Sequence, residues 1–90
     1  MKNMSFPLSE HSSIKERLDR TGSVWTTRVS NEKSKYDKGD QVMTPWGVLN
    51  VVESKDYNTV DDHPFLDDLS AEQKMMLTTY GEYRVLRLEK

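Results

Sequence analysis

The chain predicts a small α+β protein: a β-barrel of about four to six strands that carries two short helices at its openings. Three observations lead there. Ninety residues make one domain, with no room for a second core. Helix-like and strand-like segments follow in the order α-β-β-β-α-β, joined by connections too short for a series of parallel crossovers. Only 34% of the residues are apolar, so the interior has to be built from few side chains.

Taken in order, residues 1–8 read as a loose lead-in, because Phe6-Pro7 opposes helix and nothing periodic surrounds it. Ser9 to Arg20 reads as a short helix. Ser13-Ile14-Lys15-Glu16 has the spacing of a capping box, Ile14 and Leu18 form a narrow apolar stripe, and Gly22 terminates the helix. Ser23 to Ser30 is β-branched and aromatic, as a strand should be. Its alternation sets Trp25, Thr27 and Val29 on a core face and Val24, Thr26 and Arg28 on the other, with Thr26 and Arg28 toward a more polar space.

Asn31 to Lys38 is a polar loop ended by the turn Asp37-Lys38-Gly39-Asp40. Gln41–Thr44, the reversal Pro45-Trp46-Gly47 and Val48–Glu53 form a β-hairpin. Lys55 to Asp68 is acidic, contains His63-Pro64 and reads as a loop. Ser70-Ala71-Glu72-Gln73 is a second capping box and opens a helix of about nine or ten residues before Gly81. Met75, Met76, Leu77 and Tyr80 are its expected inner face. Glu82 to Glu89 closes the domain as a strand. Trp25, Val29, Val42, Leu49, Val51 and Val85, with Leu86 or Leu88, should share one core.

Composition removes several function classes. Charged residues reach 31%, yet the formal net charge is −2, so self-repulsion does not enforce disorder. With no cysteine there is no disulfide, thiolate nucleophile or Cys-ligated zinc. No apolar run approaches the ~18 residues of a membrane span, and the N-terminus lacks a signal peptide's apolar stretch. A cytoplasmic protein with no membrane partner is expected. Residues 1–40 hold 8 Lys/Arg against 6 Asp/Glu, and residues 41–90 hold 5 against 9. That asymmetry suggests one face for an anionic partner, while the net charge disfavours a dominant nonspecific DNA-coating function, which usually goes with a strongly basic protein.

Arg28 stands out among candidate binding residues. Its guanidinium is a rigid fork of donors suited to phosphate or base edges, and Thr26 shares its strand face. Lys33, Lys35 and Lys38 fall in the adjacent loop, where they would line a phosphate track. Trp46, in the hairpin turn, is the better placed of the two indoles to stack on a ligand, and Trp25 belongs to the core. Asp61-Asp62-His63 with Asp67-Asp68 lacks the spacing and Gly turn of a calcium loop. The chain has two histidines, no Ser-His-Asp order and no Gly-rich phosphate loop, so no metal, cofactor or catalytic residue is expected.

Thr26-Thr27-Arg28, a polar loop, Tyr36-Asp37-Lys38-Gly39-Asp40, a hairpin, an acidic helical segment, Tyr80-Gly81 and a closing strand follow one another in a familiar order. Over about residues 14–90 the chain thereby resembles the ASCH domains, small members of the PUA-like superfamily. The resemblance implies a PUA-like pseudo-barrel with a cleft for a nucleobase, nucleoside or RNA segment. Some ASCH proteins hydrolyse acetylated cytidine with a Lys just ahead of a nucleophilic Thr and a Glu from the later helical segment. Thr26 matches that Thr, Glu72 stands near the carboxylate, and Ser23 occupies the position of the Lys. Ser23 has no amine to take the hydroxyl proton, and an unassisted hydroxyl is a poor nucleophile.

A non-catalytic module that binds RNA or a modified nucleotide through Thr26, Arg28 and their neighbours is therefore expected. The alternatives are a small interaction protein of bacterial or phage type, docking a protein partner through acidic segment 53–72, and an amidohydrolase acting on acetylated cytidine.

Overall fold

The computed structural model describes residues Met1–Lys90. It has five strands, β1 (Lys2–Asn3), β2 (Ser23–Val29), β3 (Gln41–Thr44), β4 (Gly47–Tyr57) and β5 (Tyr83–Glu89), and two α-helices, α1 (His11–Thr21) and α2 (Ala71–Tyr80). The strands form one mixed sheet in the order β1-β3-β4-β5-β2, with a parallel β1·β3 pair and antiparallel pairs elsewhere. Helices and strands thus follow the order read from the sequence, with β1 added in front. The sheet stays open, edged by β1 and β2, and does not close into a barrel.

β5 explains the layering. Leu86 and Leu88 project to one face and Tyr83 and Val85 to the other, and all four are buried. Both faces need cover. On the first, α1 brings Ile14 and Leu18 against Val24, Val42, Leu49, Val51, Leu86 and Leu88, joined by Met4, Phe6 and Tyr36. On the second, Leu77 of α2 and Leu69 pack on Tyr83 and Val85, flanked by Trp25, Val29, Tyr57, Val60, Phe65 and Leu66. The single core expected from the sequence is thus two clusters, with Trp25, Val29 and Val85 on one side of the sheet and Val42, Leu49, Val51, Leu86 and Leu88 on the other.

Other departures have local causes. The N-terminal residues pack rather than trail: Lys2 and Asn3 pair with Val42 and Met43, Met4 and Phe6 are buried, and Tyr36 donates to the Asn3 carbonyl at 2.8 Å. A 3-10 turn over Leu8–Glu10 leads into α1 directly, so Ser13 lies inside the helix. No capping box forms there, and the Ser13 hydroxyl donates back to the Glu10 carbonyl at 3.0 Å. Gly22 ends the helix as expected, at φ 74°, a conformation that favours glycine.

β4 runs on to Tyr57, through part of the segment expected to be a loop, because β5 pairs with it along its length. The register shifts between Val51 and Glu53. The extra residue at Val52 reverses the alternation, so Val51 and Tyr57, both odd-numbered, serve opposite faces. Tyr57 can then stack on Tyr83 at 5.5 Å.

The capping box of α2 forms as read: Ser70 N–H donates to Gln73 Oε1 at 2.8 Å, and Gln73 N–H donates to Ser70 Oγ at 3.2 Å. Its inner face is narrower than expected, however. Leu77 alone is buried, while Met75, Met76 and Tyr80 are exposed. No helix is long and apolar enough to cross a membrane.

Truncation of Leu86 or Leu88 to Ala should cost about 2–5 kcal/mol in urea denaturation. Met75→Ala, at a side chain 71% exposed, should stay within about 0.5 kcal/mol of the parent. A Met75→Ala loss comparable to the leucine truncations would contradict this placement of α2.

Candidate functional site

β2 has β5 on one side and no strand on the other, so alternate backbone N–H and C=O groups along its outer edge have no ladder partner. The two helices flank that edge on opposite faces of the sheet. Between them runs a cleft of about 750 Å³, floored by Val24–Val29 and walled by Glu10, Ile14 and Arg17 on one side and Asp68, Glu72 and Gln73 on the other. Two polar ties join the walls. Gln73 Nε2 donates to Glu10 Oε1 at 2.9 Å, and Arg17 lies 3.8 Å from the Asp68 carboxylate. Gln73 thereby caps its own helix with one amide atom and holds the opposite wall with the other.

Thr26 is 9% exposed, lines the cleft, and its hydroxyl takes no side-chain or backbone partner within the protein. Arg28 Nε is the one buried side-chain polar atom left without a partner, so the Thr26 hydroxyl stays open to the cleft. Arg28 lines the same cleft two residues along. Its guanidinium lies 4.9 Å from the centroid of Phe6 and 5.9 Å from that of Tyr36, and Nη2 donates to the Ser5 carbonyl at 2.9 Å. It makes no ion pair and Nε is buried without a partner; burial draws its pKa below the ordinary arginine value. The polar space expected around Thr26 and Arg28 is therefore only partly polar: Val24, on the same strand face, is buried in the larger cluster.

On the other face of β2, Thr27 meets His63, Oγ1 to Nε2 at 2.8 Å. His63 Nδ1 accepts the Phe65 backbone N–H at 3.0 Å, so the proton of the neutral ring sits on Nε2 and is donated to Thr27. The ring is buried and stacks on Tyr83 at 5.4 Å, with the Trp25 indole edge-on at 5.2 Å. Burial lowers its pKa below the usual imidazole value. So arranged, His63 positions Thr27 and has no free lone pair with which to deprotonate it.

The remaining residues singled out in the sequence lie elsewhere. Lys33 pairs with Glu82 at 3.0 Å and Lys35 with Glu32 at 2.7 Å; Lys38 is exposed without an ion pair, and none of the three lines the cleft. Trp46 packs edge-on against Phe6 and His11, each at 5.1 Å, at the margin of the larger cluster. Glu72 shares the cleft with Thr26, whereas no lysine lines it. No group of three or more His, Asp or Glu is placed to hold a metal ion.

Glu10, Arg17, Gln73 and His63 were not read as site residues from the sequence. The capping box marked Gln73, but only the tertiary approach of the two helices gives its amide a second partner. No protein-family model, curated protein or solved structure matches the chain.

The His63 geometry sets a pH dependence. The buried ring stays neutral while the unfolded chain takes up a proton near about pH 6.5, so stability falls as pH drops through that value. Asp19, Glu32, Asp40 and Asp56 are all held below their ordinary values by hydrogen bonds to lysine or arginine. Their contributions are lost only below about pH 4. Thermal melts between about pH 7.5 and 5 should show a falling midpoint that flattens in His63→Gln. An unchanged slope in that variant would remove His63 as its origin.

Proposed function

We propose that this chain is a non-catalytic, cytoplasmic binding module that takes a nucleobase, in a nucleoside or as an unpaired base of RNA, into the cleft along β2. The observation that carries this is the Thr26 hydroxyl on the cleft floor, unpartnered within the protein and open to the cleft on a residue only 9% exposed. It can donate to a ring nitrogen or carbonyl, and the Arg28 guanidinium beside it offers further donors to a base edge. The volume is in the range of small-molecule sites, roughly 300–1,000 Å³. Trp25 also lines the cleft, with its indole stacked on Phe65. The resemblance to ASCH domains of the PUA-like superfamily supports the same ligand class. For an RNA strand, Lys38 is the lysine of that loop free to meet a phosphate outside the cleft, since Lys33 and Lys35 are held by Glu82 and Glu32.

Hydrolysis of acetylated cytidine is not part of the proposal. Thr26 and Glu72 share the cleft, but no amine lines it and His63 is committed to Thr27 and Phe65. A second function has an observation of its own: Asp61, Asp62 and Asp67 are exposed and make no ion pair, which suits a basic protein partner docked on segment 53–72.

Calorimetric titration with cytidine, adenosine and a short single-stranded RNA tests the first reading. Thr26→Val should weaken binding by about two- to tenfold, the worth of one net hydrogen bond. Equal binding by Thr26→Val would move the ligand away from β2. No binding to any of the three probes would leave the acidic surface as the functional one.

A further inference from the structure

The charges in the cleft are not those of a phosphate site. Four carboxylates line it, Glu10, Glu32, Asp68 and Glu72, against two guanidiniums, Arg17 and Arg28. Glu72 makes no ion pair and Glu10 accepts only from the neutral amide of Gln73. Arg17 pairs with Asp68 and Glu32 with Lys35, while Arg28, bonded to the neutral Ser5 carbonyl, keeps its charge. Two unpaired carboxylates, Glu10 and Glu72, therefore face one unpaired cation, Arg28, and leave the cleft net negative. Trp25 already serves a cation: the Arg17 guanidinium lies 5.9 Å from its ring centroid, and Phe65 stacks on the indole at 4.8 Å with planes 7° apart. A planar ligand with delocalised positive charge would meet carboxylates and the unpartnered hydroxyl of Thr26, a residue 9% exposed, in one space.

We propose that the cleft selects a nucleobase cation, such as an N-methylated base, over its neutral parent, and that a phosphate attached to the sugar opposes binding. This rests on the cleft being the base-binding site. The cation gains attraction to Glu10 and Glu72. A 5′-phosphate brings two negative charges toward the same carboxylates, with Arg28 as the one unpaired cation in the cleft to set against them.

Two matched series test this: 3-methylcytidine, cytidine and cytidine 5′-monophosphate, and 1-methyladenosine, adenosine and adenosine 5′-monophosphate, each titrated calorimetrically at low and moderate salt. In at least one series, affinity should fall from cation to neutral nucleoside to monophosphate. Each unit of charge should change it by about three- to tenfold at low salt, and by less as salt rises. Glu72→Gln, at an exposed side chain whose replacement leaves the fold intact, should compress the order, and Glu10→Gln should compress it further. A monophosphate that binds as tightly as the nucleoside, or a cation that binds no better than its parent, would overturn the charge selection while leaving base binding in place. Failure of all six probes to bind would overturn both together.

Discussion

Leu86 and Leu88 on one face of β5, and Tyr83 and Val85 on the other, must all be kept from water. At about 1.5–3 kcal/mol for each large apolar side chain, leaving either face bare would take a substantial part of a small domain's stability. A five-stranded sheet in a 90-residue chain has only two helices with which to cover both sides. α1 takes one side and α2, helped by the turns over residues 60–69, takes the other. The bulge at Val52 answers the same demand, because it lets β4 serve the first face with Val51 and the second with Tyr57.

Placing one helix on each side of an open sheet leaves the β2 edge between them. The cleft is thus a consequence of the two-faced core, and its lining follows from which strand lies at the edge. The alternation of β2 gives one helix the side of Val24, Thr26 and Arg28 and the other the side of Trp25, Thr27 and Val29. Arg28 shows the resulting division of labour. Its cross-strand neighbour Arg84 is fully engaged, bidentate to Asp56 at 2.6 and 3.2 Å and bonded to Asp37 and the Tyr36 carbonyl at 3.0 Å. Arg84 ties the residues 36–37 to the sheet, and Arg28 keeps donors that the protein does not consume.

Much of this was legible in residue order. Turn and cap chemistry placed Gly22, the Pro45-Trp46-Gly47 reversal and the Ser70–Gln73 capping box, and alternation assigned the two faces of β2. The two-sided core was not legible, because Val85-Leu86 reads as a buried pair without saying that both sides of the strand are covered. Nor was the open edge: strand count and order in sequence do not say which strands end without a neighbour. The Lys33–Lys38 cluster looked like a phosphate track in sequence, but the fold gives Lys33 and Lys35 carboxylate partners and leaves all three lysines outside the cleft. His63 read only as part of an acidic loop, whereas its two ring nitrogens are engaged by Thr27 and Phe65, which no local pattern foretells.

The central claim is that the free edge of β2, flanked by α1 and α2, is where a ligand sits. Amide shift perturbation in the labelled protein, titrated with a nucleoside that binds, locates the contact without perturbing the fold. Perturbations concentrated in residues 24–29, with smaller ones in 10–17 and 68–77, are the result this account predicts. Perturbations centred on residues 33–38, on Trp46 or on 53–62, with β2 unmoved, would contradict it.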